Sequence, residues 1–132
     1  MQKAFLWLLR KGELPGVYYD FLSKDLTANS PLLTVEYVPR FDEWSDGSAV
    51  VGRAPFDGPI QIFRGGANSL VGAFDTYAHE VLHRHPTYKQ AFLSAHDTAA
   101  VNALHGQMAP HITSAVTAFR GLQTRMAMEG VW

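Results

Sequence analysis

The sequence predicts an α+β fold, because strand signals lie in its first half and a helical pattern fills its second half. The chain has 132 residues, of which 47% are hydrophobic and 17% are charged, as in one ordinary globular domain. We expect a single domain over residues 1–132, with an N-terminal helix and a small sheet in residues 1–67 and helices in residues 68–132. The sheet is predicted to be mostly antiparallel, with about three strands packed on an active-site helix and on two further C-terminal helices.

Three segments of the first half have the composition of short strands. Residues 32–38 are rich in β-branched and aromatic side chains and lie between two prolines. Residues 49–52 and 59–63 are shorter, and each comes just after an Asp-Gly pair that is typical of a turn. Residues 1–11 show an amphipathic pattern that ends at a glycine, which predicts a helix before the sheet.

Three helices are predicted in the second half, at residues 69–85, 87–107 and 110–128. The boundaries are placed at Pro86 and Pro110, because proline is tolerated in the first turn of a helix and disfavoured in its interior. This division makes residues 87–107 one continuous helix, so the direction of each side chain follows from a turn of about 100° per residue.

The composition excludes several classes of site and partner. Without cysteine, the chain forms no disulfide, no catalytic thiolate and no Cys-ligated metal site. The net charge of −1 lacks the basic footprint of a nucleic-acid binder, and no apolar run approaches the roughly 18 residues of a membrane-spanning helix. The apolar run at residues 4–9 is too short for a signal peptide, so we expect a cytoplasmic protein or export by a non-classical route.

The chemically informative segment is a His-Glu-x-x-His motif in the first of the three C-terminal helices. His79 and His83 are four residues apart, so both imidazoles project from the same side of the helix and can reach one metal ion. Glu80 is held beside them, where it can act as the general base on a metal-bound water molecule. The apolar residues form a stripe on the opposite side of this helix. The motif therefore predicts a metal site on the face that points away from the core.

The motif and its surroundings resemble the zincin metallopeptidases, whose active-site helix carries His-Glu-x-x-His and follows a small sheet. The resemblance covers the strand at residues 59–63, the loop at residues 64–67 and the helix at residues 69–85. It implies a minimal zincin-like fold in which both motif histidines bind Zn²⁺ and Glu80 is the general base of peptide-bond hydrolysis.

The resemblance also implies a role for the strand that precedes the motif. In zincins the edge strand of the sheet binds the substrate backbone in an extended form, which is a case of β-strand addition. In this chain that role falls on four consecutive residues: Ile60, Gln61, Ile62 and Phe63. We therefore expect a peptide or protein substrate to bind along this strand.

A catalytic zinc ion has three protein ligands, so one ligand is needed beyond the histidine pair. The metzincin position six residues after His83 is Lys89, which excludes that subgroup. Glu129 is the one glutamate after the motif and lies three residues from the C-terminus, which makes it a poor candidate. His85 is on the core-facing side of the helix and is expected to interact with the last carbonyl groups at the helix end.

Two residues of the next predicted helix are the main candidates for the third ligand. His96 lies near the middle of the apolar face, so it is expected either to complete the zinc site or to be a core histidine bonded to the backbone. Asp97, at the edge of that face, is the alternative, and a different ligand or none is the third possibility. A histidine ligand from this helix is similar to the SprT-like zincins and an aspartate ligand to the aspzincins. The flanking residues match neither, so the subgroup stays unassigned.

The predicted reaction needs further polar groups around the zinc ion. An oxyanion could be stabilised by Tyr77, Tyr88 or His105, and the sequence does not choose among them. Asp75 or Asp97 could hydrogen-bond a ligand imidazole, although both are equally well explained as solvent-exposed acids.

The alternative interpretation is a small non-enzymatic binding or inhibitory protein, such as a phage factor or an effector, with an incidental or structural metal site. Trp44 and the pair Val131-Trp132 could anchor a partner, or they could cover the core. The last predicted helix carries an apolar stripe that is either core or interface, formed by Ile112, Ala115, Val116, Phe119, Leu122 and Met126.

Overall fold

The computed structural model describes residues 1–55 and 57–128, and the predicted α+β class is confirmed for this part of the chain. Its α-helices are α1 (Gln2–Lys11), α2 (Gly16–Tyr19), α3 (Leu70–Leu82), α4 (Pro86–Ser94) and α5 (Thr98–Met128). Its strands are β1 (Val35–Val38), β2 (Gly52–Arg53) and β3 (Ile60–Phe63), and a 3₁₀ turn at Arg64–Gly66 connects β3 towards α3. Within the described residues, no helix combines the length and apolar character needed to cross a bilayer.

The sheet is mixed, which corrects the expectation of a mostly antiparallel sheet. The strand order is β1-β3-β2, so β3 lies in the centre. It pairs in parallel with β1 and antiparallel with β2. The mixed arrangement arises because the chain reverses direction twice after β1, once before β2 and once before β3. The connection between β2 and β3 is short enough for an antiparallel pair, and the third strand then runs in the direction of the first.

The strands are shorter than the sequence predicts. The predicted strand at residues 32–38 is regular only over its last four residues, and the predicted strand at 49–52 is represented by Gly52–Arg53 alone. The reason for the second difference is local pairing. Ala49 forms an isolated antiparallel bridge with Glu43, and the Val50 N–H donates to the Asp42 carbonyl at 2.9 Å. These residues close a turn on themselves instead of extending the sheet.

The core is centred on α3, which packs against β3 and α5 while α1 packs on both helices. Phe74 of α3 stacks on Phe119 of α5 with ring centroids 4.3 Å apart and planes within 4° of parallel. Phe5 of α1 meets the Tyr77 ring edge-on at 5.2 Å. The Tyr77 hydroxyl donates to the buried Leu33 carbonyl at 2.6 Å, which ties α3 to the segment before β1.

The helix boundaries differ from the prediction on both sides of α4. The predicted helix at residues 87–107 is broken after Ser94, because Ala95 adopts an extended backbone and a new helix begins at Thr98. Asp97 caps this new helix, since its Oδ1 accepts the Ala100 N–H at 2.7 Å. The predicted break at Pro110 is absent, and α5 continues through this residue.

The continuity of α5 shows that tertiary packing outweighs the intrinsic cost of an interior proline. Met108 and Ile112, on either side of Pro110, are both buried in the main core. Ending the helix at Pro110 would turn one of these side chains out of the core and expose it. The lost backbone hydrogen bond is therefore offset by apolar burial on both sides.

We predict that Pro110→Ala stabilises the fold. Alanine restores one helical hydrogen bond and removes the ring from an exposed interior position, a gain of about 3 kcal/mol, which is reduced by about 1 kcal/mol because the unfolded chain becomes more flexible. Urea unfolding followed by circular dichroism should show a rise of about 2 kcal/mol in the free energy of unfolding. A lower stability for Pro110→Ala would contradict this account of α5.

Candidate metal centre

Three histidines converge where the end of α3 meets α5. The Nε2 atoms of His79 and His83 are 2.9 Å apart, and the Nε2 atom of His105 is 3.3 Å from that of His83. One ligand atom from each residue can be chosen so that all three lie within 4.8 Å of one another. Among the described residues, this trio is the group of metal-ligating side chains that could hold a metal ion.

The position of each histidine follows from helix geometry. His79 lies in the last turns of α3 and His83 directly follows the helix, so a spacing of four residues places both rings on one side. His105 is three residues before Met108 and seven before Ile112, which are buried. That spacing places His105 on the face of α5 that packs towards α3. The crossing of the two helices therefore brings the three rings together.

The trio could bind a metal ion through its imidazole nitrogens. Two nitrogen ligands of a tetrahedral ion with bonds of about 2.0–2.1 Å are about 3.3 Å apart, close to the distances of 2.9 and 3.3 Å from the His83 Nε2 atom to those of His79 and His105. Burial lowers the pKa of His79 to about 4 and that of His83 to about 3, with a smaller contribution from the neighbouring imidazoles. Burial also lowers the pKa of His105. Neutral imidazoles are the form that binds metals, so the trio is ready to act as a ligand set at neutral pH.

The Glu80 carboxyl group is buried beside the trio. Glu80 as a whole residue is 6% exposed, and its Oε1 atom lies 3.9 Å from the Nε2 atom of His79. Burial raises the pKa of Glu80 to about 7, and the positive charge of Arg84 acts in the opposite direction. A carboxyl group with a pKa near neutrality can both accept and release a proton at physiological pH.

The trio and Glu80 line an open cleft of about 460 Å³, so the site is accessible from solvent. The remaining wall is largely apolar and is formed by Trp44, Val51, Gly52, Ala54, Phe92 and Leu93, with Lys89 at its side. A volume of this size lies in the range of about 300–1,000 Å³ that is usual for ligand sites.

Gly52 brings β2 directly against the Glu80 side chain. A Cβ atom at this position would lie 2.8 Å from the Thr76 methyl group and 2.9 Å from Cγ of Glu80, so any side chain would force them to move. Gly66 has a similar role on the other side of Thr76, because a Cβ atom there would overlap the Val51 carbonyl group. The Thr76 hydroxyl hydrogen-bonds the Gly66 carbonyl at 2.9 Å, which joins α3 to the glycine-containing turn. Two missing side chains thus allow strand, turn and helix to meet at the floor of the cleft.

The structure does not bring His96 or Asp97 to the histidine pair. Both residues are exposed in the segment between α4 and α5. Asp97 uses its carboxylate to cap α5, and His105 occupies the place that was expected for His96. The reason is the helix break after Ser94, because a new helix changes the direction of every later side chain relative to one continuous helix. The capping aspartate before a helical pattern was a signal in the sequence that could have revealed this break.

The residues considered as oxyanion donors have other contacts. The Tyr77 hydroxyl is buried and donates to Leu33, so it does not reach the cleft. The Tyr88 ring packs against His85 with centroids 5.3 Å apart, and Tyr88 is not among the described residues that line the cleft. His105 belongs to the trio. None of the three is therefore placed as an oxyanion donor in the described part of the chain.

Other predicted positions also differ from expectation. His85 caps the beginning of α4 and not the end of α3, because its Nδ1 atom accepts the Thr87 N–H at 3.1 Å. Its Nε2 atom is 2.9 Å from the Asp20 carboxylate. Asp75 is exposed, and within the residues described no hydrogen bond joins it to an imidazole. Glu129 and the pair Val131-Trp132 lie outside the described residues.

The strand predicted to bind substrate is not at the edge of the sheet. Residues Ile60–Phe63 form the central strand β3, whose backbone is paired on both sides. The edge next to the cleft is β2, since Val51, Gly52 and Ala54 line the cleft wall. The edge-strand role therefore cannot fall on Ile60, Gln61, Ile62 and Phe63.

In comparisons with known proteins, no family model, no curated protein and no solved structure matches this chain.

We predict that metal binding depends on His105 and not on His96. His105→Ala removes one of three converging nitrogens, and it should weaken zinc binding by about 100-fold or more, since even loss of an outer-shell partner costs about 10–100-fold. His96→Ala should leave the zinc dissociation constant unchanged, because His96 is exposed outside the trio. Competition with a chromophoric chelator measures both constants. Equal effects of the two substitutions would contradict this assignment.

We also predict that the metal-free protein loses stability in mild acid. The pKa values of His79, His83 and His105 are lower in the folded chain than the ordinary value of 6.5, so the unfolded chain binds more protons below that pH. Their contribution to stability is complete above about pH 6.5 and is lost as the pH falls towards 4. Glu80 acts oppositely, because its pKa is raised from 4.5 to about 7 and its contribution is lost as the pH rises through that range.

Urea unfolding in the presence of a chelator, between pH 4.5 and 7.5, tests this balance. The free energy of unfolding should fall towards acid in the wild type, fall more steeply in Glu80→Gln and fall less in His83→Gln. Identical pH profiles for the wild type and His83→Gln would rule out the proposed linkage.

Proposed function

We propose that this chain is a zinc-dependent metallopeptidase that hydrolyses peptide bonds in the cleft between α3, α5 and β2. The proposal rests mainly on one observation. Three histidine nitrogens that could hold a metal ion and a buried carboxyl group with a raised pKa line the same open cleft. Structural zinc sites are closed by four protein ligands, whereas catalytic sites keep a position open, and a three-histidine set on a cleft is typical of the second kind.

The roles of the residues follow from their positions. His79, His83 and His105 would hold the ion through their imidazole nitrogens. Zinc held there supplies Lewis-acid chemistry, polarising a carbonyl group and lowering the pKa of water. Glu80 would accept the proton of the attacking water at its carboxylate and pass it to the leaving amine. Its burial raises its pKa to about 7, so the carboxyl group can release the proton again near neutral pH.

The edge strand β2 is suited to hold a substrate backbone. The Phe63 N–H donates to the Val51 carbonyl at 3.0 Å, and Gly52 is opposite Ile62 in the antiparallel register. Because hydrogen-bonded and non-hydrogen-bonded pairs alternate in such a ladder, the N–H and C=O groups of Gly52 point away from β3. Gly52 is buried and lines the cleft beside Glu80. An extended peptide that enters the cleft could therefore pair with these groups.

A non-enzymatic binding protein with a metal site is the second candidate. Exposed apolar side chains around the cleft support it, since Trp44 is 48% exposed and Leu93 is 54% exposed. The stripe on the last helix supports it less, because Ile112, Ala115 and Phe119 are buried in the core. The two candidates differ in the role of Glu80, which has no function in simple binding.

We predict that Glu80→Gln abolishes hydrolysis and retains zinc. Glutamine has nearly the same size but cannot accept the water proton, so kcat/KM on a mixed peptide library should fall by about 100- to 10,000-fold. Zinc content measured by mass spectrometry of metals should remain at the level of the wild type. A chelator should abolish activity in the wild type, and added zinc should restore it.

Glu36→Gln is a matched control, because it makes the same chemical change on an exposed side chain of β1. It should leave activity unchanged. Hydrolysis that persists in Glu80→Gln would refute the catalytic role, and a zinc-loaded wild type that cleaves no peptide of the library would favour the binding protein.

A further inference from the structure

A second, smaller cavity of about 120 Å³ adjoins the metal cleft at His83, and we call it the side pocket. Both cavities are lined by Ala54, His83 and Lys89, so the side pocket is next to the candidate metal site. Its apolar wall is formed by Pro31, Leu32, Ala54 and Pro55. The volume is below the roughly 300–1,000 Å³ of a site for a whole ligand, so it suits one side chain of a larger ligand.

The side pocket has a cationic lining. Arg84 and Lys89 both line it, and none of its described lining residues carries a carboxylate. Lys89 is on the exposed side of α4, whereas the Arg84 guanidinium is partly buried at the end of α3. Two positive charges beside apolar walls favour an anionic group over a neutral one, because the reduced access of water strengthens the attraction.

Arg84 is held in place by the backbone around it. Its Nη1 atom donates to the Pro31 carbonyl at 2.6 Å, and its Nη2 atom donates to the carbonyls of Pro55 at 3.0 Å and Gly58 at 2.7 Å. These bonds join the loops on the two sides of the side pocket. The positive charge is thus positioned before any ligand arrives, which lowers the entropic cost of binding.

We propose that the side pocket binds a carboxylate-bearing side chain of the substrate, so that peptides with glutamate or aspartate close to the cleaved bond are preferred. The cleavage of such peptides rests on the proposed metallopeptidase function. The preference in binding rests on the side pocket alone. Lys89 is then a specificity-determining residue, and Arg84 is a fixed part of the same recognition site.

The test uses zinc-loaded Glu80→Gln protein, so that bound peptides are not consumed. The probes are hexapeptides of alanine and leucine with blocked ends, in which one glutamate is moved through the six positions, together with the matching glutamine peptides. Isothermal titration should show that glutamate at one position binds about fivefold more tightly than glutamine, as expected for one partly exposed ion pair. The preference should decrease at high salt concentration.

Substitutions on α4 then identify the source of the preference. Adding Lys89→Gln should reduce it to about twofold and adding Lys89→Glu should remove or reverse it, because each step takes away positive charge at an exposed position. Lys3→Gln on α1 makes the same change of charge outside both cavities and should leave the fivefold preference intact. The proteins should be compared at full zinc occupancy, measured for each of them, because Lys89 also lines the metal cleft.

Equal binding of glutamate and glutamine peptides at every position would overturn the inference. So would a preference that survives both Lys89 substitutions. The parallel assay with wild-type protein separates the two proposals. A glutamate preference that depends on Lys89, without hydrolysis of any peptide, would support the side pocket and contradict the metallopeptidase.

Discussion

The contact between α3 and α5 is the interaction on which the rest of the structure depends. The stacked rings of Phe74 and Phe119 fix how the two helices cross, and the buried side chains around them keep α5 continuous through its interior proline. His79 and His83 are at the far end of the same contact, where α5 presents His105. The geometry of the histidine trio is therefore a consequence of apolar packing about the aromatic pair.

The same contact also creates an electrostatic cost. Three imidazoles and one carboxyl group are removed from much of their water, and each responds by favouring its neutral form. The metal-free chain tolerates this because neutral imidazoles can hydrogen-bond one another and neutral carboxyl groups are inexpensive to bury. A divalent cation among three neutral nitrogens would reverse the preference of Glu80 for its protonated form, since opposite charges attract strongly at low dielectric constant.

The parts of the site that the sequence predicts are those set by local geometry. The spacing of His79, Glu80 and His83 on one helix needs no tertiary information, and the predicted opposition of this face to the apolar stripe agrees with the burial of Phe74 and Val81. The position of His105 does not follow from local geometry. The direction of its side chain depends on where α5 begins and on the continuation of this helix through Pro110. The strand order likewise depends on how the chain crosses the sheet, and short strands carry little information about their partners.

The close approach of Gly52 to Glu80 affects the conformational entropy of the glutamate side chain. A glutamate side chain normally samples many rotamers, and fixing them costs free energy whenever the carboxylate must take one position. Because Cγ of Glu80 packs closely against the backbone of Gly52, part of this freedom is lost once, when the chain folds. The ordering is not repeated each time a ligand enters the cleft. The absence of a side chain at Gly52 thus lets β2 pack close enough to restrict the Glu80 side chain on the neighbouring helix.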